Sequence, residues 1–295
     1  MLGAMPVLAM LGAVFLWASS LTSLRFTFRY FEVFDVMVAR MALAALVLWS
    51  LVALTRVEWR PRAIGWRPLA MGVLEPGLVS LVFMYGLSLS SATVAGVCWS
   101  LMPIVMPFLG YAVLKENFNP IVLAAALLAI LGVTLLFGSK IAAGQSTLTG
   151  NLLLVCGVLI AAGCQLLARV VNRGTNHPIA VTAWQMIGAT LMTMPVLSLS
   201  GDRGGYEATP WTAYAALLYA GSFGAAGPFL LYNYALKHLP VARAGLFPVL
   251  VGPFTIPMAW VVVGETASLA DLAAIAVVAS GVLLPSFHQR LRKTA

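Results

Sequence analysis

Apolar residues run along this chain in long unbroken stretches rather than alternating with polar ones. Several stretches approach 20 residues and lack any charge. A helix rises about 1.5 Å per residue, so each such run reaches across roughly 30 Å of hydrocarbon. Inside lipid the backbone must satisfy its own hydrogen bonds, which leaves helices or a closed barrel. The missing alternation excludes the barrel. The pattern predicts ten helices, at about 5–24, 33–54, 67–89, 93–114, 120–138, 148–170, 179–199, 211–236, 241–263 and 269–286. The expected class is an all-α integral membrane protein.

The pattern also repeats. Trp17-Ala18 followed by Arg25 has a counterpart in Ala161-Ala162 followed by Arg169. The stretch from Glu116 to Gly132-Val133 recurs 149 residues later as Glu265 to Gly281-Val282. Each copy carries five spans, and five is odd, so the second copy crosses the membrane in the opposite sense. Two inverted five-helix repeats are expected, 1–140 and 147–295, forming one transport unit with a substrate pathway where they meet. The connections are short; the longest are 55–66, 139–147 and 200–210, the last two reading as turns exposed to water.

Composition agrees. The chain is 61% hydrophobic and 9% charged, where a soluble domain carries about a quarter charged residues. The net charge of +8 reads as topology. With the N-terminus inside, the cytoplasmic side receives Arg56, Arg60, Arg62, Arg67, Lys115, Arg169, Arg173, Lys237, Arg243, Arg290, Arg292 and Lys293, against Arg25, Arg29, Lys140 and Arg203 outside. The positive-inside rule then puts both termini in the cytoplasm of a bacterial-type inner membrane. The basic residues form no patch on a folded domain, so no nucleic-acid partner is expected. The first span lacks a basic segment before it and has an internal repeat partner, so it reads as a mature span rather than a signal peptide. Cys98, Cys156 and Cys164 fit no zinc spacing and read as buried free thiols. His177, His238 and His288 form no cluster, and no metal or cofactor is expected.

Pro103 and Pro107 fall in the fourth span and Pro248, Pro253 and Pro257 in the ninth, its repeat partner. Proline removes a backbone donor and crowds the preceding turn, so both helices are expected to kink. Interrupted helices at matching places in two halves mark transporter binding sites.

These features together, the two five-helix repeats, Trp17-Ala18, the Pro103–Glu116 and Pro253–Glu265 segments and the trailing Gly-Val pairs, resemble the drug/metabolite transporter superfamily, EamA-type. The resemblance covers nearly the whole chain. It implies a ten-helix carrier working by alternating access, with a central cavity lined mainly by helices 1, 3, 4, 6, 8 and 9, and substrates such as amino acids and other small metabolites moved outward. Two positions depart from the family pattern: Ala161 stands where an aromatic is common, and the third helix carries Glu75.

Glu75 sits inside the third span, followed by Pro76-Gly77. An unpaired carboxylate at mid-membrane costs about 2.5–3.5 kcal/mol on insertion scales, so the residue is expected to bind a proton or a substrate ammonium; pairing with Arg67 at the cytoplasmic mouth is the structural alternative. Arg40 is the base well inside a span, aligned with Gln185 in the second copy at an offset of 145. It reads as a structural tie near the outer helix end, to Asp35 or a facing helix, with a grip on a substrate carboxylate as the alternative. Glu116 and Glu265 end repeat-partner helices, and each is expected to cap the helix that follows it.

Trp17, Tyr85, Trp99, Trp184, Phe223, Tyr232 and Tyr234 lie within spans, whereas Trp49, Trp59, Trp66 and Trp211 read as interfacial. With Gln165 and Asn233 as polar anchors, Trp17, Tyr85, Trp99, Tyr232 and Tyr234 outline a cavity for an amphipathic molecule. Met84, Met102 and Met106 flank it. The chain has no G-x-x-x-x-G-K-[ST], no H-E-x-x-H and no G-x-S-x-G, so neither ATP binding through a P-loop nor hydrolysis is expected. The function expected is non-enzymatic transport of a small amphipathic metabolite, most of all an amino acid, by a monomer or homodimer in membrane lipid. A proton-coupled efflux carrier for organic cations is the alternative substrate class, and a non-transporting membrane scaffold the alternative of another kind.

Overall fold

The computed structural model describes residues 4–114, 120–171, 177–201, 209–239 and 247–294. Lys115, Glu116, Arg173, Arg203 and Arg243 lie outside the described residues. Within them the chain is helical, with no strand. Seven helical segments are long and apolar enough to cross a membrane, and three shorter apolar helices, Ala92–Met106, Phe247–Val263 and Leu269–Gly281, stand at the remaining expected spans.

The first half consists of α1 (Ala4–Thr27), α2 (Val33–Thr55), a short α3 (Pro61–Ile64), α4 (Arg67–Gly72), α5 (Val79–Ser88), α6 (Ala92–Trp99), α7 (Met102–Leu114) and α8 (Pro120–Ala142). The second consists of α9 (Leu148–Val171), α10 (Pro178–Thr193), α11 (Trp211–Gly221), α12 (Gly227–His238), α13 (Val251–Val263) and α14 (Leu269–Thr294). A wide turn at a kink, Val73–Leu78, joins α4 to α5, and a π-helical turn, Ser222–Ala226, joins α11 to α12. The two turns begin 149 residues apart, the repeat offset itself.

The fourth and ninth spans are interrupted as the prolines predict, the fourth ahead of Pro103 and the ninth around Pro248. The fourth breaks at Ser100–Leu101, between α6 and α7. The ninth opens with a 3-10 turn, Phe247–Leu250, before α13. Pro103 and Pro253 then sit in the first turns of α7 and α13, where a missing N–H breaks no helical bond. Pro257 is the proline inside α13.

Inverted symmetry is legible in the packing. Helix α2 packs on α10, α6 on α13 and α8 on α14, so these spans meet their own repeat partners. Helix α5 packs on α9 as α12 packs on α1, a pair of contacts that exchange when the halves are swapped. Between α8 and α14 the reciprocity holds residue by residue. A methyl on Gly132 would fall 2.6 Å from Val278 Cγ2 and 2.7 Å from the Ala274 carbonyl; one on Gly281 would fall 2.7 Å from the Ala125 carbonyl and 2.9 Å from the Ala129 nitrogen. Each residue of one set is the 149-offset partner of a residue in the other. The recurring Gly-Val signature is therefore a two-fold contact in which a glycine on each helix admits the other backbone, the close approach small residues permit in lipid.

The alignment of Arg40 with Gln185 has the same support. A Cβ on Gly72 would collide with the Gln185 backbone, and one on Gly221, its 149-offset partner, would lie 3.2 Å from the Arg40 carbonyl. The second span of each half thus braces the wide turn in a span of the other half.

Two expectations need correction. Helix α8 continues to Ala142, so Lys140 does not lie in a water-exposed turn but is buried, with 1% of its side chain accessible. Its Nζ donates to Asp271 Oδ2 at 3.1 Å, Gln145 Oε1 at 2.9 Å and the Thr266 carbonyl at 2.8 Å. Cys98 and Cys164 are buried, but Cys156 faces outward from α9.

Candidate functional site

A cavity opens within the first half, walled by α1, α2, the third span and the end of α6, with Phe229 at the start of α12 closing it from the second half. Its lining includes Trp17, Ser20, Arg40, Glu75, Ser80, Phe83, Met84, Trp99 and Phe229. It holds about 60 Å³, room for a few water molecules in this conformation.

Glu75 sits inside the wide turn of the third span with extended backbone, φ −137° and ψ 114°. The following Pro76 favours that conformation, because its ring crowds a preceding helical residue. The break turns the Glu75 side chain into the cavity, where the amide of Gln165, on α9, donates to its carboxyl. Arg67 stands two turns earlier at the start of α4, and the partner shown for Glu75 is the amide rather than a base.

Trp17 and Trp99 stack with planes 3° apart and centroids 6.5 Å apart. Phe229 meets Trp17 edge-on at 5.5 Å, and Phe83 leans on Trp99 at 5.3 Å. Sequence reasoning missed Phe83 and Phe229. For Phe83 a signal existed: Pro76, Val79, Ser80, Phe83 and Met84 recur at three- and four-residue steps, one helix face beyond Glu75.

Arg40 is 7% exposed and lines the same cavity. Its Nε donates to the Ala220 carbonyl at 3.2 Å, and Nη2 to the Gly224 carbonyl at 2.8 Å and Ser20 Oγ at 3.3 Å. Nη1 reaches Met84 Sδ at 3.6 Å. Arg40 thus ties α2 to the carbonyls around the wide turn of the eighth span. Such a turn frees carbonyls that lipid cannot satisfy, and the guanidinium satisfies them. Asp35 instead accepts from Ser200 Oγ at 2.8 Å.

The other expected residues lie elsewhere. Tyr232 is buried behind Trp17, centroids 5.4 Å apart. Asn233 is absent from the cavity lining and donates to Thr182 Oγ1 at 2.9 Å and Gln185 Oε1 at 2.6 Å, tying α12 to α10. Tyr234 packs on His238. Tyr85 is 42% exposed and stacks on Phe34, outside the cavity lining. Phe223 faces outward against Tyr219, and Trp184 joins Trp49 and Trp59 in a cluster where its Nε1 donates to the Trp59 carbonyl. Met84 lines the cavity, whereas Met102 is core.

Glu265 is a cap, but of a different helix. Its carboxylate accepts from the Ala92 and Thr93 N–H groups at 2.7 and 3.0 Å and from Thr93 Oγ1 at 2.8 Å, closing the start of α6 in the other half. The helix that follows it, α14, is capped by the reciprocal Ser268–Asp271 pair. Glu116, its expected counterpart, lies outside the described residues.

A model of the EamA-like transporter family matches residues 4–138 and again residues 148–287, one match per half. The chain belongs to the EamA-like transporter family. It is therefore a multi-pass membrane protein of a family that moves small molecules. Among curated proteins, it is 22% identical over 210 residues to YetK, an uncharacterized transporter of Bacillus subtilis (strain 168). That alignment covers 70% of this chain and 63% of the relative, so it spans less than two thirds of the relative's length. The fold also matches a crystal structure of a protein at a TM-score of 0.70 and 17% identity, over 97% of this chain and 98% of the other.

Proposed function

We propose that this EamA-like chain is a secondary carrier that moves small amphipathic molecules, amino acids above all, outward across the inner membrane by alternating access, with both termini in the cytoplasm. The observation that carries this reading is Glu75 in a helix break, facing a cavity whose other walls are the stacked Trp17 and Trp99 with Phe83 and Phe229. Aromatic walls receive an apolar side chain, and a carboxyl held by Gln165 receives an ammonium. The kink in the third span and the π-helical turn in the eighth supply the hinges that alternating access needs, since each interrupts regular helical bonding. The chain lacks a P-loop, so the driving force is an ion or substrate gradient, with the proton as the coupling ion, and no chemical step is assigned to the cavity.

Glu75 among aromatic rings also suits an organic cation, which makes proton-coupled cation efflux the second reading. Purified protein in lipid vesicles, loaded with labelled phenylalanine or leucine, tests both. Saturable flux is expected, and Glu75→Gln is expected to lower it by at least about tenfold, because an amide neither carries the proton nor pairs with an ammonium. Wild-type flux in the Glu75→Gln protein would remove Glu75 from the site. No flux of amino acids or organic cations under any gradient would overturn the carrier reading in favour of a scaffold.

A further inference from the structure

We infer that Arg40 is the carboxylate-binding residue of this cavity and that, with Glu75, it selects zwitterions carrying both a free ammonium and a free carboxylate. The inference rests on the carrier reading above and narrows its substrate class.

A guanidinium carries five N–H donors. Three go to oxygens: the carbonyls of Ala220 and Gly224 and the hydroxyl of Ser20. Nη1, with two N–H groups of its own, meets the thioether of Met84 at 3.6 Å, and sulfur of this kind is a weak acceptor. All four of these partners are neutral. The cation at the cavity wall therefore has donors poorly used and no anion among its contacts. A carboxylate entering the cavity would supply both, through the charge-assisted bonds that arginine forms best.

Bracing the wide turn does not by itself call for a charge. The repeat partner of Arg40 is Gln185, which is neutral; its backbone lies against Gly72 beside the break of the third span, while its amide accepts from Asn233 of α12. At both places the second span of one half meets an interrupted span of the other through its backbone, so this close packing itself needs no charge. The positive charge at Arg40 is what this packing leaves unexplained, and Arg40 lines the cavity.

Glu75 poses the complementary problem on the same cavity. Among the described residues its partner is the amide of Gln165. An organic cation would neutralise Glu75 and leave Arg40 unmatched; a simple carboxylic acid would do the reverse. A zwitterion satisfies both, with its side chain against Trp17, Trp99 and Phe229. Sites built to hydrogen-bond a substrate group reject analogues lacking it strongly, because the site's own polar groups are then left bare.

The test uses full-length protein in vesicles. Labelled phenylalanine flux is challenged with phenylalanine, with phenylethylamine, which lacks the carboxylate, and with 3-phenylpropanoate, which lacks the ammonium. Direct uptake of labelled phenylethylamine is measured alongside. Both analogues are expected to compete at least about 100-fold more weakly than phenylalanine. In Arg40→Gln, which installs the side chain found at the repeat partner, the preference for phenylalanine over the amine is expected to fall below about tenfold. If that variant fails to fold, the wild-type comparison still decides. Competition by the amine within threefold of phenylalanine overturns the inference. Uptake of the amine without uptake of phenylalanine overturns it too, yet leaves the carrier reading standing, whereas absence of any uptake fells both.

Discussion

Removing Lys140 should destabilise the protein more than any exposed charge change, because it orphans a buried carboxylate. Lys140 and Asp271 are 1% and 3% accessible, and all three ammonium donors are used, on Asp271, Gln145 and the Thr266 carbonyl. The pair fastens the end of α8 to the start of α14, where a cation at one helix C-terminus and an anion at the other's N-terminus also suit both helix dipoles. In Lys140→Met the Asp271 carboxylate keeps the Ser268 N–H at 2.8 Å but loses its counter-ion. Breaking a buried pair from one side costs about 3–5 kcal/mol, or roughly a 10²–10⁴-fold shift in the folded population. Replacing both partners with apolar residues, Lys140→Met with Asp271→Leu, should recover most of this, since nothing charged is then left buried. Buried Cys98 and Cys164 report melting directly as they become reactive to a thiol dye, in a background where outward-facing Cys156 is replaced by serine. The cycle of two single variants and the double gives the coupling. A cost below about 1 kcal/mol for Lys140→Met, or a double variant no better than the sum of the singles, would refute the reasoning.

Further outcomes follow from the same contacts. Glu265→Ala strips three hydrogen bonds from the start of α6 and should cost about 2 kcal/mol, discounted for partial exposure, read in the same melting assay; unchanged melting would remove the cap. Gly281→Ala and Gly132→Ala should each destabilise by about 1–3 kcal/mol through overpacking of backbone and should agree within about 1 kcal/mol, since the contact is reciprocal; a loss at one position alone would contradict the two-fold interface.

The ten spans and the repeat were legible because apolar run length and a 149-residue recurrence survive in the letters of the chain. Which face of each span looks inward was not. A helix apolar all round gives no moment to read, so Tyr85 and Trp99 looked alike until packing separated them. The prolines pointed to breaks in the fourth and ninth spans, and breaks are there. The kink of the third span and the wide turn of the eighth were not foreseen, and the latter is a π-helical turn, which has no residue signature of its own. Only Glu75-Pro76 and the glycines Gly221, Gly224 and Gly227 mark them. The role of Glu265 as a cap was foreseen from its place at a helix end, but its partner in the other half depends on tertiary packing.

The central claim, that two five-helix copies thread the bilayer in opposite senses around one cavity, is tested most directly by single cysteines in a cysteine-free background. Arg62 and Gly201 are exposed and stand in the connections after the second span of each copy. Inverted repeats predict that a membrane-impermeant thiol reagent labels Gly201→Cys in intact cells and Arg62→Cys only after permeabilisation. Labelling of both from the same side would contradict the account.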